Sequence, residues 1–570
     1  MKRKKTSFEP QWRTTPPEPG SWRSIFKWGA PDGFKHPNAK LYAMLKETFG
    51  LSDDAFSAPV SAGDDPVTLG DKAPAMPLET IEAFTAICGE ENVSVSDYDR
   101  VKYSTGKTME EIYALRDGTP DKVADLIVHP RTEEEISRIV ALCHEKKIPL
   151  HVFGGGSSVT LGLTPNKGGV TLVMATHMTR VVEFNETNQT ITVECGIMGP
   201  ALEDLLNNAP NTFNTRHPYT CGHFPQSFEF STVGGWIAAK GSGQQSSYYG
   251  DAVDLVLGQT CVTPAGKVTT LDYPSTATGP MVNDILKGGE GTYGILTRAT
   301  LKVFRHTPGT RKNFSFIFPT WQDAVNATRE ISQAECGMPS VFRISDPEET
   351  YIGLKQHGIE GTPLDTFMTF KGYKSGQRCL LLGHTEGEKG FSKNVCKNVR
   401  RIAKANGAMS LTGYPVKLWQ HGRFNDPYLR EDLNDYGVVI DTLETGVKWD
   451  NLHQVHMGVR KYIKERPDTL CMTHCSHIYP QGTNLYFIFI GKFETRDEFV
   501  AFQRGIIQSI EENGGTLSHH HGVGRMMAPL MEKHLGKGQM DTLKALKKHF
   551  DPNNIMNPGG TLGLDEPTEP

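Results

Sequence analysis

Three consecutive histidines, His519, His520 and His521, stand in the run LSHHHGVG, and four glycine clusters lie far apart along the same chain. Imidazole exchanges protons near neutral pH and is also the commonest metal ligand. The run therefore reads as a proton-transfer group, as metal ligands or as a solvated loop. Successive side chains on extended backbone point to opposite sides, so at most two of the three rings face one site. The glycines offer different chemistry. FGGGSSVTLG, residues 153–162, ends an apolar segment in three glycines, removing every Cβ at one bend. Positive φ and close backbone approach become possible there, so several N–H groups can converge on a phosphate. STVGGWIAAKGS, GGEGTYG and NPGG are the other clusters, at 231–242, 288–294 and 557–560. One such loop is usually an ordinary turn; several in one chain favour a large phosphate-bearing ligand. No GxGxxG opens a strand–helix unit. STGKT at 104–108 ends like a phosphate loop, but Val101 stands where its first glycine belongs, and the match reads as chance.

Elements must hold these residues in place. LIVHP reads as a short buried strand, TEEEISRIVALCHEKKI as an amphipathic helix, and PLHVFGGG as a strand ending in the first glycine cluster. Thr132 is expected to cap that helix, with Glu135 completing a capping box. Helices are expected over 38–49, 77–88 and 200–207, a flexible run over 57–71, and a hairpin turn at Thr263–Lys267. The pattern predicts an α+β fold rather than a repeated βαβ wheel. It divides into an N-terminal helical region (1–118), a ligand-binding unit (119–305), a cap (306–515) and a tail returning to the site (516–570).

The chain has 570 residues, 37% hydrophobic and 22% charged, with 58 glycines and a net charge of −5. That length predicts about three to five compact units. Recurrent aromatic and β-branched residues exclude general disorder. The absence of an apolar run of about 18 residues excludes a spanning helix, and the mild charge excludes a dedicated nucleic-acid binder. The 10 cysteines are scattered, without a CxxC pair, and read as reduced thiols in a cytoplasmic protein. The basic start followed by Trp12, Trp22 and Trp28 is compatible with touching a membrane surface.

The strand–GGGSS, STVGG and GGEGTYG motifs, in that order, resemble the FAD-binding fold of the vanillyl-alcohol oxidase/p-cresol methylhydroxylase family. The resemblance implies a two-subdomain FAD unit with a cap. It assigns the cofactor to Gly154, Gly155, Gly156, Ser157, Ser158 and Val159. To these it adds Gln226, Ser227, Phe228, Glu229, Phe230, Ser231 and Thr232, then Ala239, Lys240, Gly241 and Ser242. The last set is Glu290, Gly291, Thr292, Tyr293, Gly294, Ile295 and Leu296. Relatives that bind FAD covalently through the first loop place a histidine after the glycines. Ser157 occupies that position here, so FAD is expected to be non-covalent.

SFEFSTVGGW, YLREDLNDYGVVIDTLETG, NLYFIF and SHHHGVG resemble, more narrowly, the alkyldihydroxyacetonephosphate synthase branch. This implies exchange of the acyl group of acyl-dihydroxyacetone phosphate for a fatty alcohol, through a flavin N5 adduct and without net redox change. It implies an acid/base role for Tyr486, proton shuttling by His520 and His521 with His519 in support, and substrate contacts for Arg430 and Arg343. It implies no metal, and a homodimer is usual among such enzymes. A guanidinium fork suits phosphate and carboxylate equally, so the arginines do not identify the substrate. The runner-up is an FAD-linked D-2-hydroxyacid dehydrogenase, D-lactate-type, to which the MNPGGTLG ending is closer. Such enzymes carry a metal motif like H-x-G-D-G-N-L-H with a later E-H-G-x-G. Tyr486 and His520 replace a ligand of each, although His474 and His477 remain as other candidates. A non-catalytic flavoprotein is the third reading.

Overall fold

The computed structural model describes residues 10–57 and 62–565. The basic start through residue 9, part of the 57–71 run and the tail from 566 lie outside the described residues.

Three sheets carry the architecture. The first orders its strands Val93–Ser94, Leu126–Val128, Val170–Val173 and Leu150–Phe153; the last three are parallel. Glu133–Lys146 supplies its amphipathic helix, burying Ile136, Ile139, Val140 and Cys143. Thr132 caps this helix by accepting from the Glu135 N–H at 3.1 Å. The reciprocal half of the expected capping box is replaced: the Glu135 carboxylate accepts from the Arg131 N–H at 2.7 Å. The second sheet is an antiparallel set ordered Val181–Asn185, Thr190–Glu194, Ile295–Lys302, Val256–Thr263 and Gly266–Thr269. Its Thr263↔Gly266 pair closes the predicted hairpin.

The third sheet has eight strands, with Leu470–Cys475, Gly482–Lys492 and Val438–Lys448 adjacent and antiparallel. In Gly482–Lys492 the two-residue period separates the faces. Leu485, Phe487 and Phe489 are fully buried in the core shared with helices Leu452–Glu465 and Arg496–Glu512. Tyr486, Ile488 and Ile490 line a cavity on the other side. An apolar strand covered on both faces can thus still present one polar residue to a site.

Several contacts cross the expected domain boundaries. Strand Val93–Ser94 joins the first sheet although it precedes residue 118. Arg23 and Arg116 both pair with buried Asp435, at 2.9 and 2.8 Å. The described part of the expected flexible run is anchored to the first helix: Arg23 and Trp22 donate backbone N–H bonds to Gly63 and Asp65. From the far end of the chain, Leu150 donates to the Ile555 carbonyl at 2.7 Å and pairs with Met556. The STGKT segment is no phosphate loop: Thr108 caps helix Met109–Arg116 in a full capping box, and the Lys107 ammonium donates to the Ile25 and Lys27 carbonyls.

Candidate active site

One cavity of about 570 Å³ runs from the first glycine loop to Tyr486. Glycine is required at its wall. A Cβ on Gly154 would lie 2.6 Å from Thr232 Oγ1, one on Gly155 would collide with the Phe230 carbonyl oxygen, and Gly156 has φ +74°. Among the described residues, the N–H groups of Gly155, Gly156, Ser157, Ser158 and Val159 donate to no protein acceptor. Successive free N–H donors beside a positive-φ glycine form an anion-binding concavity. Of the expected cofactor residues, Phe228, Glu229, Phe230, Lys240, Thr292 and Ile295 do not border the cavity; all the others do. Phe228 stacks on Phe424 at 5.5 Å, and Ile295 is buried in the core. Glu290 turns its carboxylate away, accepting from the Val523 and Gly524 N–H groups at 2.6 and 2.8 Å. Burial pushes that carboxyl up to about 7.

Opposite the glycine wall lies a polar cluster. Tyr486, His520, His521, Arg430 and Arg343 border the cavity, whereas His519 lies behind them. The Tyr486 hydroxyl donates to Thr442 Oγ1 at 3.1 Å, and burial pushes the phenol up to about 12. Its ring stacks on His474 at 4.8 Å and meets His521 edge-on at 5.5 Å. Burial lowers His521 to about 4.

The histidine run is held by Glu444, which the sequence reading missed. Glu444 is cross-strand partner to Tyr486. Its Oε1 accepts from the Ser518 hydroxyl at 2.7 Å and from the N–H groups of His519, His520 and His521, each at 3.0 Å. Burial alone would raise this carboxyl, but the neighbouring imidazoles, His520 foremost, hold it well below the usual range. Glu444, His519 and His520 bring ligand-type atoms within 4.8 Å of one another. The carboxylate is engaged by main-chain donors, so hydrogen bonding alone accounts for the cluster.

The two arginines differ. Arg343 is already paired: its Nη2 reaches Glu349, and also His474 Nδ1 at 3.0 Å. Arg430 donates one bond, Nη1 to the Lys107 carbonyl at 2.9 Å, and its Nε and Nη2 are buried without a partner. The Lys107 N–H in turn donates to the Ser158 carbonyl at 2.7 Å, tying this guanidinium to the glycine loop. A buried unpaired guanidinium N–H is costly unless a ligand supplies an acceptor. Part of the cavity wall is apolar: Leu41, Ile352, Leu433, Met472 and Ile490 belong to one hydrophobic cluster, and Ile488 lines the cavity as well. Trp28 and Leu41, from the N-terminal region, also line it. No short motif announces such a wall, which is gathered from distant segments.

The glycine cradle fits FAD by its free donors and its intolerance of any Cβ. The FAD binding domain model matches residues 124–272, and the model for the C-terminal domain of FAD linked oxidases matches 307–561. Fold and site thus define an FAD-dependent protein of the p-cresol methylhydroxylase type. A solved p-cresol methylhydroxylase shares this fold, with TM-score 0.64 and 16% identity over 86% of this chain and 98% of that one. The alkyldihydroxyacetonephosphate synthase of Dictyostelium discoideum is 32% identical over 478 residues, 80% of this chain and 76% of that protein. That of Trypanosoma brucei brucei is 27% identical, over 85% and 80% respectively. A solved alkyldihydroxyacetonephosphate synthase superposes with TM-score 0.79 at 26% identity, covering 94% of this chain and 99% of that one. The chain belongs to the alkyldihydroxyacetonephosphate synthase family.

Proposed function

We propose that this protein exchanges the acyl group of acyl-dihydroxyacetone phosphate for a fatty alcohol, forming an ether lipid precursor with FAD as cofactor. One observation carries the reading: the unpaired Nε and Nη2 of Arg430 and the Tyr486 hydroxyl share a cavity whose wall is apolar in part. A phosphate on Arg430 sets the ketone-bearing carbons near Tyr486, and the apolar wall takes the acyl or alkyl chain. FAD, when bound, supplies an electron sink for the substrate carbon while carboxylate leaves. Tyr486, protonated at neutral pH, donates to the developing enolate oxygen or relays the proton lost from the adjacent carbon. His520 and His521 accept and return that proton. Arg343, neutralised by Glu349, orients His474 under the Tyr486 ring.

The rival D-2-hydroxyacid dehydrogenase reading needs a divalent site. Tyr486 stands at one of its imidazole positions, His520 at its acidic position, and Glu444 is committed to the main chain. We infer non-covalent FAD from Ser157 at the place of the tethering histidine. No helix among the described residues is long and apolar enough to cross a membrane. Trp22 and Trp28, expected to face a membrane, are buried; exposed Leu364, Phe367 and Phe370, on helix Pro363–Phe370, support peripheral contact with lipid instead. A cytoplasmic homodimer remains the expected setting.

Anaerobic spectroscopy separates the two reactions. Acyl-dihydroxyacetone phosphate should bleach the oxidised-flavin absorbance, and fatty alcohol alone should restore it. Bleaching by a D-2-hydroxyacid, reversed only by an electron acceptor, would overturn the proposal.

A further inference from the structure

Behind His520 runs a hydrogen-bonded chain that the proposed reaction has not used. His520 Nδ1 lies 3.1 Å from His519 Nδ1, and His519 Nε2 lies 2.9 Å from the Tyr479 hydroxyl. Tyr479 donates to Asp251 Oδ2 at 2.7 Å, and Asp251 Oδ1 accepts from Ser242. Donor counting fixes the direction. A carboxylate only accepts, so the single phenolic proton of Tyr479 points to Asp251. The Tyr479 oxygen must then accept, which places the His519 proton on Nε2. That leaves His519 Nδ1 bare, and the His520 Nδ1–H donates to it at 3.1 Å, with Glu444 Oε2 beside the same proton at 3.4 Å. Every bond points the same way, and His520 Nε2 is left as the open acceptor at the cavity end.

We propose that His519, Tyr479 and Asp251 form a proton path that connects His520 with solvent. A proton taken up at His520 Nε2 breaks the Nδ1–H bond, and that proton binds His519 Nδ1. His519 releases its Nε2 proton to the Tyr479 oxygen as Tyr479 passes its own to Asp251. One proton crosses and no electron moves. Asp251 is only partly buried and completes the exchange with water. Running the path backwards restores every tautomer. The surroundings favour such a relay. Burial lowers His519, keeping it neutral, and burial with the Asp251 charge raises the Tyr479 phenol, so it holds a proton to hand on. Tyr479 and Asp251 touch no substrate and act only through His520.

The path rests on the proposed reaction, in which a proton leaves the carbon beside the ketone. The test follows turnover of acyl-dihydroxyacetone phosphate and fatty alcohol by the FAD-loaded enzyme in D2O. It records kcat, KM and deuterium incorporated at that carbon per turnover. Tyr479→Phe should keep bound FAD and a KM within about threefold of wild type, while kcat falls about tenfold or more. Deuterium per turnover should fall as well, because the abstracted proton returns before exchanging. Asp251→Asn, which keeps the hydrogen bond but cannot accept a proton, should behave alike and serves if the first variant folds poorly. Wild-type kcat and deuterium content in both variants overturn the path alone. Absence of wild-type turnover overturns the reaction and the path together.

Discussion

Glu444 and Tyr486 face each other across adjacent antiparallel strands, and Glu444 also gathers the main-chain N–H groups of His519, His520 and His521. The imidazoles are therefore placed relative to the phenol by one carboxylate on the strand beside it. Glu444→Gln keeps the shape and an acceptor oxygen for the donors to Oε1. It removes the charge, however, and puts an amide NH2 where Oε2 accepts from the His519 N–H and faces His520 Nδ1. We expect kcat to fall at least about a hundredfold with FAD retained, read from steady-state kinetics and the flavin spectrum.

Tyr486→Phe removes one hydroxyl from a half-buried ring on the cavity wall. It should reduce turnover about a thousandfold and leave bound FAD and the melting temperature nearly unchanged. Purification as apoprotein would mean that Tyr486 serves the fold instead.

Arg430 keeps two guanidinium N–H positions for an incoming anion. Arg430→Lys retains the charge but loses the fork, so KM for the phosphate-bearing substrate should rise about tenfold to a hundredfold. The flavin content should not change. An unaltered KM would remove Arg430 from the substrate site.

Gly155→Ala drives a methyl group into the Phe230 carbonyl. Overpacking at such a point costs about 1–3 kcal/mol, and the displaced loop should no longer hold FAD. Absorbance of the purified variant near the flavin maximum tests this directly. In the wild type, acid precipitation should release the flavin into the supernatant, as non-covalent binding requires.

Burial would raise the Glu349 carboxyl, but His474 and Arg343 bring it down to about 2. A carboxyl depressed in the folded state stabilises the protein above its unfolded pKa of about 4.3, and that stability is lost as pH falls toward the folded value. Glu349→Gln should therefore be most destabilising at neutral pH. Its deficit should shrink between about pH 4.3 and 2, as urea melts across that window would record.

The legible part of this molecule was local. Three glycines after an apolar segment, a threonine before an amphipathic helix and a histidine run each announce themselves within ten residues. The Thr132 cap follows that logic, although Glu135 chose the Arg131 N–H over the reciprocal bond. What escaped reading depends on register and long-range packing. Glu444 is an ordinary strand residue until its pairing with Tyr486 is known, and Tyr479 and Asp251 are 228 residues apart. Phe228 and Ile295 sit inside matched motifs, yet they face the core, because a motif names a segment and not the direction of each side chain. The N-terminal region looked separable by composition, but buried Asp435 binds it to the cap through Arg23 and Arg116.

The C-terminal segment returns to strand Leu150–Phe153 of the cofactor half, where His151 Nδ1 and Asn557 Oδ1, 406 positions apart in the chain, meet at 3.1 Å. During synthesis, the glycine loop after that strand emerges from the ribosome long before its partner exists. The cradle is completed only once the segment around Asn557 has been made, so cofactor loading has to wait for that distant segment. Shortening the protein from this end should empty the flavin site before it disturbs the cap.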